Sequence, residues 1–333
     1  MALSTCQGRD CTPSLTRRSL LAAAIVAGSG QRGIASGDEP GKAADDAHLQ
    51  DGVETRARSA GLGPLQVSKS ANYTAIGDAP EVFRQNALAA FEDVALDYLD
   101  YYHGQGFRVQ RPTQRMVVVT LADRQSFLRY LGMDVSDQVV GFYDRQHNEL
   151  VIYDNRARTE RKAVPRPRFV NQITLAHEAT HQLTYNTGLL NRVGDAPGCV
   201  VEGLALFGEV RKTTGRTAPG LLNQDRLRDL AYMQRRGNAW ISLSSLLVED
   251  RNSGSFKAGT DDQRSLYYSQ SWLFVYFLLK DPARLPGFRA FLKAIFERTE
   301  SSHRLDDART HLGDLDQLDS ELRGYSIRLL KGR

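Results

Sequence analysis

His177-Glu178-Ala179-Thr180-His181 places two imidazoles four residues apart with a carboxylate next to the first of them. Residues four apart share one face of a helix, so both rings can reach a single metal ion at the zinc distance of about 2.0–2.1 Å. Glu178 is turned about 100° from His177. That offset sets its carboxylate beside a metal-activated water rather than on the metal. One turn of helix thereby supplies two ligands, His177 and His181, and a general base, Glu178. The bland reading of the same five residues is an exposed polar turn with a Glu–His pair.

A zinc site needs a third protein ligand, and Glu202 can supply it. It follows His181 by twenty-one positions, room for a turn and a returning helix, within Val200-Val201-Glu202-Gly203-Leu204-Ala205. An unpaired carboxylate in so apolar a setting would be costly. The expected metal set is therefore His177, His181 and Glu202, holding one Zn2+ ion. Glu209 shares a face with Glu202 and Leu206, where it either orients a ligand histidine or sits as a solvated helix-end carboxylate. Cys199, three positions before Glu202, reads better as a small buried hydrophobe than as part of a site.

These residues need a helix, a turn and a second helix to bring them together. Pro165 and Pro167 precede the predicted helix Phe169–Thr187, and Gly188 fits its carboxyl-terminal cap. Further helices are predicted over Pro197–Thr213, Gly220–Arg235, Asp262–Leu279, Leu285–Arg298 and Leu315–Leu330. Upstream, Asn72–Gly77 and the β-branched run Arg115–Leu121 read as strands, Pro80–Tyr102 and Ala122–Leu131 as helices, and Val139–Tyr143 with Leu150–Tyr153 as a hairpin. Strands come first and helices later. This order predicts an α+β fold, a small mixed or antiparallel sheet with the site helix, followed by a mostly helical C-terminal half.

The 333 residues are 41% apolar and 25% charged, ordinary for a globular protein with a sizeable core. Collagen-like, low-complexity and wholly disordered readings are excluded. Arg9, Arg17, Arg18 and Arg32 against Asp10 put +3 of the net +4 charge into residues 1–37. The remainder is nearly neutral, so no nucleic-acid partner is expected. Arg17-Arg18 precedes the short apolar run Leu20–Ala27, and Ala35-Ser36-Gly37 carries the small residues a signal peptidase reads. Residues 1–37 thus read as an export signal of twin-arginine type, giving an exported protein, periplasmic or extracellular, with no integral membrane span. Residues 38–66 read as a flexible linker. The basic stretch Arg156–Arg168 and the polar stretch Arg251–Thr260 read as surface loops. His48, His103 and His147 are not assigned to the metal.

H-E-x-x-H followed by E-G-x-A resembles the gluzincin clan of zinc metallopeptidases. More narrowly, the runs 175–183 and 201–209, with Gly141–Asp144 and Tyr268–Trp272, resemble the bacterial DUF1570-type peptidase-like domains over about Val67 to Phe296. The sequence departs from that pattern at Val200, Val201 and Phe207. The resemblance implies a zincin-like domain over 67–333, zinc on His177, His181 and Glu202, and hydrolysis of a peptide or protein substrate. It also implies a Tyr or His on a later helix to stabilise the oxyanion, with Tyr268 the candidate and Tyr267 its rival. Zincin geometry further implies that Glu149–Asp154 is the sheet edge against which an extended peptide can pair. A catalytically silent zincin-like binding module of the cell envelope is the alternative. A structural zinc protein would need a closed set of four ligands, and three protein ligands are visible.

Overall fold

The computed structural model describes residues 40–137, 139–155, 172–212, 216–237, 240–249 and 260–332. Its sheet is built from strands with two buried faces. In β3 (Met116–Leu121), Met116 and Val118 face one side, while Val117, Val119 and Leu121 face the other. β5 (Glu149–Tyr153) repeats the alternation, with Leu150 and Ile152 opposed to Val151 and Tyr153. Side chains alternate across a strand, so apolar runs of this kind require cover on both sides.

β1 (Gln66–Lys69), β2 (Tyr73–Gly77) and β4 (Gly141–Asp144) complete a mixed sheet of order β1-β2-β3-β5-β4. The inner pairs β2–β3 and β3–β5 are parallel, and the outer pairs β1–β2 and β4–β5 are antiparallel. α2 (Glu81–Gly104) makes the crossover from β2 to β3. Together with α4 (Gln172–Asn186) it covers one face of the sheet. α1 (Pro40–Ser59) and α3 (Arg124–Leu131) cover the other. α3 is bounded as its residues direct: the Asp123 side chain accepts from Ser126 N–H at its start, and Gly132 takes φ 65° at its end.

The C-terminal half is helical: α5 (Gly198–Gly208), α6 (Gln224–Arg235), α7 (Leu243–Val248), α8 (Asp261–Lys280), α9 (Leu285–Phe296), α10 (Arg304–Leu312) and α11 (Leu315–Lys331). α8 is its axis, buried almost throughout from Leu266 to Leu279 and packed on α5, α6, α9 and α11. A capping box starts it. Thr260 accepts from Gln263 N–H, and the Gln263 side chain accepts from Thr260 N–H at 2.8 Å. No helix of the described residues is long and apolar enough to cross a membrane.

Three expectations are corrected. The segment expected as a flexible linker, 38–66, is ordered where it is described: Pro40–Ser59 is α1, and β1 begins at Gln66. Val53 and Ala57 are buried, Val53 packs with Ile76, Val119 and Val151, and Arg56 pairs with the buried Glu149. So few apolar positions leave no periodicity to read, and the helix is held by contacts distant in sequence. Second, β5 is not the sheet edge, because β3 pairs with it on one side and β4 on the other. The edge beside the site helix is β4. Third, the helix expected to reach Thr213 ends at Gly208, after which Arg211 and Thr217 form an isolated antiparallel bridge. β1, α7 and α10 are additional elements. Residues 1–37, 156–168 and 251–259 lie outside the described residues.

Candidate metal centre

Two glycines bring the site together. A Cβ at Gly208 would stand 2.4 Å from Thr180 Oγ1, inside the H-E-x-x-H turn of α4. A Cβ at Gly203 would stand 2.4 Å from the Ser271 carbonyl oxygen of α8. Both contacts are closer than a side chain permits, so α5 is wedged between α4 and α8 because it lacks side chains at those two points. Every residue of α5 is buried. Thr180 in turn donates to its own helix, to Ala176 O at 2.6 Å, which holds its hydroxyl clear of the ligand face.

The wedge sets Glu202 opposite the two histidines. His177 Nε2 and His181 Nε2 are 3.2 Å apart, and Glu202 Oε2 lies 3.5 Å from the first and 3.7 Å from the second. The point equidistant from these three atoms is about 2.0 Å from each, the zinc–nitrogen distance. Ligand atoms around one tetrahedral zinc are themselves about 3.3–3.4 Å apart. The triangle is therefore small enough for all three side chains to reach one metal ion. Among the described residues this is the one group of three or more His, Cys, Asp or Glu side chains arranged to hold a metal. Glu202 and His181 are buried and His177 is half-buried.

His177 is oriented from behind. Its Nδ1 lies 3.0 Å from Glu209 Oε2, and Glu209 is buried rather than solvated. A carboxylate only accepts, so Nδ1–H donates, and Nε2 is the ring atom that faces the triangle. Burial opposes a charge on this ring, yet hydrogen bonds to Glu202 and Glu209 and the charge of Glu178 outweigh it and lift the His177 pKa to about 10. The same negative surroundings favour any cation at Nε2.

Glu178 stands outside the triangle, as its rotation on the helix requires. Its Oε2 accepts the backbone N–H of Tyr143 on β4 at 2.9 Å. Tyr267 and Tyr268 both lie on α8. Tyr267 is buried, and its phenol is held far from ionisation by burial first and then by Cys199, Glu202 and Glu249. Tyr268 is half-buried, with its ring edge-on to Tyr267 at 6.1 Å. Cys199 is a buried free thiol whose pKa burial pushes up to about 12, consistent with packing rather than reactivity. His103 Nε2 bonds to the Val109 carbonyl at 2.7 Å, and His147 pairs with Asp144 at 2.7 Å on the surface; neither joins the triangle.

Sequence reasoning missed two features: the Tyr143 backbone as an anchor for Glu178, and Asn223 as a partner of Glu209. The first has no side-chain signature. The second is legible only as a helix cap.

Residues 171–306 match the family model DUF1570, described as a protein of unknown function. The match spans α4 through α9, and with them His177, Glu178, His181, Glu202, Glu209 and both tyrosines of α8. The sheet, including Gly141–Asp144, lies outside it. No curated protein matches the chain.

Proposed function

We propose that the chain is a zinc-dependent hydrolase, a metallopeptidase of gluzincin type acting on a peptide or protein substrate. The observation that carries this reading is the triangle of His177 Nε2, His181 Nε2 and Glu202 Oε2, with edges of 3.2, 3.5 and 3.7 Å. Glu178 in the same helical turn is left outside it. A zinc ion held by those three residues would supply Lewis acidity toward water and toward the scissile carbonyl.

The chain's own residues account for the proton movements. Glu178 takes a proton from the attacking water as the water oxygen bonds to the carbonyl carbon. It returns that proton to the amine nitrogen as the C–N bond breaks, so an O–H bond lost is matched by an N–H bond gained. The Tyr143 N–H occupies Glu178 Oε2, and the second oxygen is the one that exchanges protons. Tyr268, the more exposed tyrosine of the pair, donates to the oxyanion. Tyr267 is buried beside Glu202 and serves the ligand side. Export through the amino-terminal signal is part of the same proposal, supported by Arg17-Arg18 before the apolar run 20–27.

The test is the zinc content of the purified full chain, followed by a peptide library. Near-stoichiometric zinc that falls in Glu202→Gln, together with cleavage of some library members, supports the reading. Zinc unchanged in Glu202→Gln removes that residue from the site. Bound zinc with no cleavage of any member favours a silent binding module.

A further inference from the structure

We infer that α6 acts on the metal centre through Asn223, a positioning residue that fixes His177 by way of Glu209. The inference depends on the metal-centre reading above. Asn223 uses both ends of its amide. Oδ1 accepts from Arg226 N–H at 3.2 Å and so starts α6. Nδ2 donates to Glu209 Oε1 at 2.8 Å and reaches the Leu206 carbonyl of α5 at 3.3 Å. The helix N–H groups settle which end is oxygen, and the carboxylate settles which end is nitrogen.

Capping alone does not require asparagine, since Ser and Asp cap equally well. What Asn adds is an N–H2 group free to face a carboxylate while its oxygen is held by the helix. Asn223 and Glu209 are both buried, so a carboxylate lacking this donor has no bulk water to take its place. The Arg226 guanidinium adds positive charge, with Nε 3.9 Å from Glu209 Oε1, and is itself tied to Asp229 at 3.1 Å. A continuous polar chain thus runs from α6 to Glu209, to His177 Nδ1, to the ligand atom Nε2. Loosening its far end frees the imidazole to rotate away from the ligand position.

The experiment is zinc affinity by chelator competition on the full chain for wild type, Asn223→Ser, Glu209→Ala and the double variant, with thermal unfolding of the metal-free proteins alongside. Asn223→Ser keeps the cap but replaces the amide N–H2 with a hydroxyl on a shorter side chain, drawn back from Glu209. We expect its zinc affinity to fall roughly ten-fold with the metal-free unfolding temperature near that of wild type. In the Glu209→Ala background the same substitution should change affinity by less than about two-fold, because the coupling runs through Glu209. The low-field NMR signal of the His177 Nδ1–H proton should shift or broaden in Asn223→Ser, which a purely structural role would not produce. Asn223→Asp, which caps and opposes Glu209 with a like charge, should lose more affinity than Asn223→Ser and stands in if the latter does not fold. Wild-type affinity in both variants, or an equal loss with and without Glu209, overturns the inference. A wild-type chain that binds no zinc overturns the metal-centre reading, and this inference with it.

Discussion

The carboxylate of Glu178 accepts the backbone N–H of Tyr143 at 2.9 Å, tying the H-E-x-x-H turn to the edge strand β4. A backbone donor survives every substitution at position 143 except proline. Gly141, two residues earlier, keeps room for the contact: a Cβ there would stand 3.3 Å from Ile152 Cγ2 and 3.6 Å from Glu178 Cγ. The strand edge and the proposed base thus form one unit, although only one of them carries a recognisable motif.

Glu178→Gln retains an oxygen able to accept from Tyr143 while removing the group that takes a proton. Zinc stoichiometry should match wild type, and hydrolysis of any peptide the wild type cleaves should fall roughly 10²–10⁴-fold. Equal turnover by the two proteins would remove Glu178 from the base role.

Gly208→Ala drives a methyl into Thr180 Oγ1 and forces α5 away from the ligand-bearing turn. Overpacking of this kind costs about 1–3 kcal/mol, to be read from denaturant unfolding, and zinc affinity should drop with it. The clash is with a side chain, so adding Thr180→Ala should recover most of the loss. Gly203→Ala meets the Ser271 backbone instead, and no single side-chain truncation should rescue it.

Arg56 of α1 pairs with the buried Glu149, which also accepts from the Tyr130 hydroxyl at 2.9 Å. Removing the cation leaves a buried carboxylate short of one charged partner. Arg56→Met should lower stability by about 1–3 kcal/mol. The exposed Arg58 of the same helix is the control, and Arg58→Met should change little. Equal small effects would show that α1 is not held to the sheet by this pair.

Arg298 grips Asp307 with two hydrogen bonds of 2.8 Å and holds its carboxyl below the ordinary value of 3.8. A depressed carboxylate stabilises the fold above the unfolded pKa, and that contribution is lost as pH falls through the folded one. Asp307→Asn should therefore be less stable than wild type near neutrality. The gap between the two should close as pH drops below about 3.8. A gap that is constant with pH would mean that the ion pair contributes nothing specific.

Much of this molecule is legible along the chain. The β-branched run of β3, the H-E-x-x-H turn with Gly188 beyond it, and the apolar flanks of Glu202 each follow from short-range patterning. Their side chains are sorted by burial at fixed periods, so strand, site helix and candidate ligands are visible in the sequence alone.

Other features could not. α1 buries few apolar residues and is secured by Arg56 reaching Glu149, ninety-three positions away. β5 lies inside the sheet because β3 pairs along its far side, a parallel pairing that leaves no mark on either strand. Glu209 and Asn223 look like an ordinary helix end and an ordinary cap until α5 and α6 bring them to 2.8 Å of each other. Periodicity reports which face of an element is buried and is silent on what covers it. Pairing and covering depend on how the whole chain closes, through contacts whose partners are chosen by fit rather than by proximity in sequence.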